Sequence, residues 1–253
     1  MAIDLALAQK VLDTVDAGLV HGLGKQEPGK MCVEAAVCFA LGLPHGDDPP
    51  CVGSAVRRAK ISLNDARWSS NEERTKGLRR LAVAQLGSNE IDQRAFATVL
   101  ARLTIERVIP RALRAAAGME GNKAHREALE AAAVRCESKG TREAAEGARS
   151  AANANAYAAN AAAYAANADA AANADAAAYA ADAANAADAA AYAAYAAAYA
   201  ANAAAANADA DANADANARD KELHHFASIF LLALRECGSP GVALLDEIEA
   251  ATA

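Results

Sequence analysis

Apolar side chains recur at helical spacing through the first 140 residues and again after residue 218, with a different text between. From Ile3 to Val20, the residues Leu5, Leu7, Ala8, Val11, Leu12, Val15 and Leu19 return every three or four positions. That spacing predicts one amphipathic helix, ended by Gly22 and Gly24. Pro28 opens a second helix, Met31–Leu41, whose apolar body stops at Gly42-Leu43-Pro44. Ser54–Leu63 reads as a short basic helix, and Ser70 with Glu73 forms a capping box for a helix reaching Leu86. Ile91–Val108 is amphipathic through Phe96, Val99, Leu100 and Leu103, and Pro110 restarts a helix to Ala117. A further helix spans Asn122–Cys136, and Thr141 after Lys139-Gly140 is an N-cap.

Beyond residue 218, Leu223, Phe226, Phe230, Ala233 and Cys237 fall on one helical face. Burying the larger of these is worth roughly 1.5–3 kcal/mol each, so this helix is expected to dock. Gly238-Ser239-Pro240-Gly241 then turns the chain into a last helix with Val242, Leu245 and Ile248. No stretch reads as a strand. The expected fold is all-α: a compact helical head over 1–140, a long Ala-rich helical arm over 141–218, and C-terminal helices over 219–253 packing back on the head.

Between Ala151 and Ala218 every residue is Ala, Asn, Asp or Tyr. Ala is the strongest helix former, which predicts helix. Asn153, Tyr157, Asn160, Tyr164 and Asn167 step by 4, 3, 4, 3, and Asn185, Asp188, Tyr192, Tyr195, Tyr199 and Asn202 step by 3, 4, 3, 4, 3. This is a heptad stripe of polar and aromatic residues. The phase slips near Ala168–Ala174, where a turn would fold the arm into a hairpin of closely spaced Ala faces. From Asn207 to Asn217 polar residues alternate with Ala, a period that leaves no buried helical face. That piece reads as a frayed helix or an acidic linker. The stretch as a whole is a spacer, an acidic decoy or a self-association surface through Tyr157, Tyr164, Tyr192, Tyr195 and Tyr199, which predicts a homo-oligomer.

Charge divides the same way. Residues 1–150 carry 22 Lys/Arg against 19 Asp/Glu, and residues 151–253 carry 3 against 13, within a formal total of −7. A basic head and an acidic arm attract each other, within one chain or between copies. Five cysteines without a CxxC pair point to a reduced, cytoplasmic setting. No apolar run is long enough to span a membrane.

The densest chemistry lies between Cys32 and Ser70. Cys32, Cys38, His45 and Cys51 are thiolate and imidazole ligands in type, but their spacing matches no usual zinc site. Buried core is the reading favoured for the thiols, and no metal or other cofactor is expected. His45, Asp47 and Asp48 are a candidate cation or acid–base group, set against the simpler role of solvated helix caps. Arg57, Arg58, Lys60, Arg67 and Trp68 are the ingredients for holding a phosphate and stacking a base, so a nucleotide is a candidate ligand. The plainer alternative puts Trp68 in the core and pairs the arginines with Asp65, Glu72 and Glu73. A nucleic-acid face is disfavoured by the net acidity. No nucleophile–base order or phosphate loop is legible.

The run CVEAAVCFALGLPHGDDPPCVGSAVRRAKISLNDARWSS, followed by an Ala/Asp/Asn/Tyr arm, resembles a family of uncharacterised phage and prophage proteins. The resemblance covers nearly the whole chain and assigns no residue a role. It implies a small cytosolic phage factor, in a class where inhibitors of host defence or host enzymes are common. The expectation is a non-enzymatic protein whose head binds a host protein and which self-associates through its arm, with nucleotide binding around Arg57–Trp68 as the alternative.

Overall fold

The computed structural model describes residues 3–152 and 212–252, and over those residues the chain is all-α with no strand. The helices are α1 (Leu5–Asp16), α2 (Val33–Ala40), α3 (Ser54–Asn64), α4 (Asn71–Ala84), α5 (Gln93–Arg107), α6 (Ile109–Met119), α7 (Lys123–Lys139), α8 (Arg142–Ala151), α9 (Ala212–Glu236) and α10 (Pro240–Thr252). Side chains start most of them. Asp4, Ser70, Asp92, Asn122 and Thr141 each accept a hydrogen bond from a backbone N–H of the first turn they precede. Gly53 opens α3 without a side chain, and its neighbours substitute: Gly53 N donates to Ser88 Oγ at 3.0 Å and Ala55 N to Gln93 Oε1 at 3.1 Å.

The first helix is shorter than its apolar pattern. It stops at Asp16, and Gly18 follows at φ 117°, a conformation that L side chains resist. Leu19 remains fully buried, but its backbone N–H now donates to Thr75 Oγ1 at 2.9 Å. Val20 N donates to Met31 O at 3.0 Å, so residues 19–31 form a closed loop pinned by isolated bridges at Met31. The second helix therefore begins at Val33 rather than Met31. Here the hydrophobic residues stay inside while the backbone leaves the helix.

Two helices organise the packing. α4 meets α1, α2, α9 and α10, while α5 meets α3, α6, α7, α8 and α9. α9 touches both, and so links the two groups. Its Leu223, Phe226, Phe230, Ala233 and Leu234 are at most 1% exposed, while Cys237 is half-buried. The Phe230 ring packs at a tilt on Phe96 of α5, with centroids 5.4 Å apart, and edge-on against Phe226 at 6.3 Å. The turn into α10 seats on the end of α4: Ser239 Oγ donates to Ala84 O at 2.7 Å and Gly241 N to Leu86 O at 2.8 Å. α8 also lies in this body, with Ala144, Ala145, Ala148 and Ala152 buried and α7 as its main contact. The alternating piece of the Ala-rich stretch is helical from Ala212 onward, because it runs directly into the docked part of α9.

Candidate functional site

The basic cluster is dispersed by the fold. Lys60 points inward and is fully buried, with Nζ 3.2 Å from Glu34 Oε1. Trp68 is 7% exposed, and its indole N–H donates to Leu63 O at 2.9 Å. The Cη2 corner of its ring abuts Gly77, where a Cβ would come within 2.2 Å of it, and the ring meets His224 edge-on at 5.1 Å. Trp68 is thus a core residue, and neither it nor Lys60 is presented to a nucleotide. That corrects the reading of both as ligand contacts. Arg57 forms an ion pair with Asp48 rather than with Asp65 or the Glu72–Glu73 pair. Arg58 and Arg67 are on the surface.

The other candidates sit in the loop after α2. His45 is half-buried with Nε2 3.2 Å from Gly24 O, and Asp47 and Asp48 are exposed. Among the described residues no group of His, Cys, Asp or Glu is placed to hold a metal ion. All five cysteines are free thiols. Burial pushes Cys32, Cys38, Cys136 and Cys237 up to about 11, so they are protonated and poorly nucleophilic near neutral pH.

What the fold does assemble is a buried charge pair that the sequence pattern does not show. Glu34, in the first turn of α2, and Lys60, late in α3, are both at 0% exposure. Desolvation raises the Glu34 carboxyl and lowers the Lys60 ammonium, each opposed by the charge of its partner. Neither group completes a hydrogen bond of good geometry. Beside the pair is a cavity of about 40 Å³, bounded by Cys32, Glu34, Asp47, Asn64 and Asp65 among others. It has room for one or a few waters and is far below the roughly 300 Å³ of an ordinary ligand pocket. The signal available in the sequence was Glu34 itself, a lone carboxylate in an otherwise apolar helix.

A second set of polar contacts ties the two flanks of the Ala-rich stretch to the body. On the near side, His125 of α7 reaches Glu120 Oε2 through Nδ1 at 2.5 Å and Ala151 O through Nε2 at 2.7 Å. On the far side, Asp220 accepts from Ser69 N at 2.9 Å and from the Ser69 hydroxyl, and Arg111 forks onto Glu222 at 2.6 and 2.5 Å. His224 Nε2 lies 2.9 Å from Glu73 Oε2, and His225 Nε2 3.3 Å from Arg107 O. The Glu73 carboxylate therefore serves Lys76 and His224. Between α4 and α9, Ser69, Ser70, Glu73, Asp220 and His224 line an open cleft of about 590 Å³. Asp220 takes the Ser69 hydroxyl while Glu73 takes His224, so this cleft is built as two separate acid–donor pairs. Tyr157, Tyr164, Tyr192, Tyr195 and Tyr199 lie outside the described residues.

No protein-family model, no curated protein and no solved structure matches this chain.

Proposed function

We propose that this chain is a non-enzymatic binding protein of phage type. Its helical body serves as a rigid mount, and the stretch over residues 153–211 is the surface that engages a host protein and further copies of itself. One observation carries the reading: both flanks of the stretch are moored to the body by packed helices. α8 enters it with three buried alanines and a buried C-cap, Ala152, and α9 leaves it with Leu223, Phe226 and Phe230 in the core. Both helices pack on α5. Anchoring both ends lowers the conformational entropy that a segment loses when it binds, compared with a free tail. Six tyrosines on an Ala background supply aromatic area for that contact.

The nucleotide alternative is weakened by the burial of Trp68 and Lys60 and by the Arg57–Asp48 pair. A cytoplasmic setting accords with five free thiols. Among the described residues no single helix is long and apolar enough to cross a membrane.

Analytical sedimentation tests the self-association part. The full chain at micromolar concentration in low salt is expected to sediment as an oligomer. The full-length variant with Tyr157, Tyr164, Tyr192, Tyr195 and Tyr199 all changed to Ala is expected to shift toward monomer. A monomeric wild-type chain, or an oligomer indifferent to the five substitutions, would remove the stretch as an assembly surface.

A further inference from the structure

The two ring nitrogens of His125 face groups that can only accept. Nδ1 is 2.5 Å from Glu120 Oε2, and Nε2 is 2.7 Å from the carbonyl oxygen of Ala151. A neutral imidazole carries one N–H and can donate to one of them. Imidazolium donates to both. Ala151 is the last residue of α8, where carbonyls lack intrahelical donors and the helix dipole favours a cation.

The surroundings hold the ring in this role. Glu120 Oε1 accepts from Asn122 N at 2.8 Å, which fixes the carboxylate, and Arg126 Nη1 donates to the Glu120 carbonyl at 2.8 Å. Among the described residues the charged groups facing the ring are thus Glu120, from the α6–α7 turn, and Arg126 behind it; from α8 the ring meets the Ala151 carbonyl. The rest of α8 is held by the methyls of Ala144, Ala145, Ala148 and Ala152. A methyl contributes little apiece, so one charged contact at the helix end weighs heavily.

We propose that His125 is a pH-operated clasp: as imidazolium it ties the last turn of α8, the foot of the Ala-rich stretch, to α7, and when the proton leaves, the one remaining N–H stays on the charged Glu120 carboxylate and that turn is released. The consequence for partner binding rests on the stretch being the binding surface, whereas the clasp itself does not. The sign follows from the contacts. Glu120 and the Ala151 carbonyl hold the His125 pKa above its ordinary 6.5. The contribution is therefore complete below 6.5 and fades as the pH rises through the folded-state value.

Hydrogen exchange of the full chain, corrected for the intrinsic pH dependence of exchange, reads the clasp directly. Between pH 6 and pH 8.5, protection of peptides covering residues 145–152 is expected to fall about three- to tenfold, the range for a histidinium at a helix C-terminus. Peptides from α5 should hold. In His125→Gln the protection should sit at the high-pH level throughout, and Glu120→Gln should move the midpoint to lower pH. A wild-type profile flat across this range, or a His125→Gln variant that keeps the fall, overturns the proposal. Proton NMR titration of His125 in the wild-type chain gives a second decision that needs no variant: a midpoint at or below 6.5 also overturns it. Failure of the binding reading would instead appear as a monomer in sedimentation at both pH values, with the exchange result intact.

Discussion

Lys60 Nζ lies 3.2 Å from Glu34 Oε1 with both side chains at 0% exposure, so α2 and α3 are joined by an acid–base pair inside the core. Such a pair is expensive to break from one side, because the remaining charge is buried without a partner. Lys60→Met or Glu34→Leu alone is expected to cost about 3–5 kcal/mol. The double variant should recover most of that loss, and can equal or exceed the wild type, since two apolar side chains need no desolvation. Urea denaturation of the three variants measures it. Equal and additive losses in the singles and the double would show that the two groups do not act as a pair.

Trp68 should report on the core and not on a ligand. Its ring is clamped between Gly77 and His224, and its N–H is used within the chain. The single tryptophan is expected to emit at short wavelength and to resist quenching by iodide. Gly77→Ala gains helix propensity of about 1 kcal/mol, yet puts a methyl into the indole, so a net loss of about 1–2 kcal/mol is expected. A Gly77→Ala variant as stable as the wild type, with unchanged emission, would mean that the indole has room to move.

Periodicity carried most of the architecture, because a docked helix needs a continuous apolar face. Ser54–Leu63, Ile91–Val108 and the Phe226–Phe230 face were legible for that reason. The apolar rhythm runs four residues past the C-terminal end of α1, because Leu19 continues it after Gly18 has turned the backbone. The site was harder. Lys60 reads as one more basic residue beside Arg57 and Arg58, and its inward turn depends on Glu34 arriving from 26 positions earlier in the chain. No spacing rule connects those two. The His125 contact was equally hidden, since one of its acceptors is a backbone carbonyl, which has no sequence signature. The packing of α8 uses methyl groups alone, and these look the same as the Ala-rich text that follows.

The docking of α9 predicts a large response from two aromatic residues. Phe226 and Phe230 are fully buried, and Phe230 packs at a tilt on Phe96. Truncating either to Ala is expected to cost about 3–5 kcal/mol, and because the two rings touch, the losses should not simply add. Thermal melting of both singles and the double gives the answer. A double variant with an unchanged melting temperature would mean that α9 is not held by this face.

Ion pairs at the same joints set the pH range over which the body is most stable. Arg114 holds the Glu137 carboxyl, and Arg235 the Asp246 carboxyl, below their ordinary values of 4.5 and 3.8. The hydrogen bonds from His224 and Lys76 do the same for Glu73. A carboxyl lowered in the folded state stabilises it above the unfolded-state value and loses that contribution as the pH falls through the folded one. His125 acts with the opposite sign, losing its contribution above 6.5. The melting temperature is therefore expected to peak between about pH 5 and 6.5, falling on the acid side as the carboxylates protonate and more gently on the basic side as His125 is neutralised. Because Arg235 and Asp246 join α9 to α10 through two contacts of 2.7 Å, Asp246→Asn should flatten part of the acid limb while leaving the basic limb as it was. His125→Gln should do the reverse. Melting temperatures that keep rising as the pH drops below 4 would show that these carboxylates titrate alike in the folded and unfolded chains.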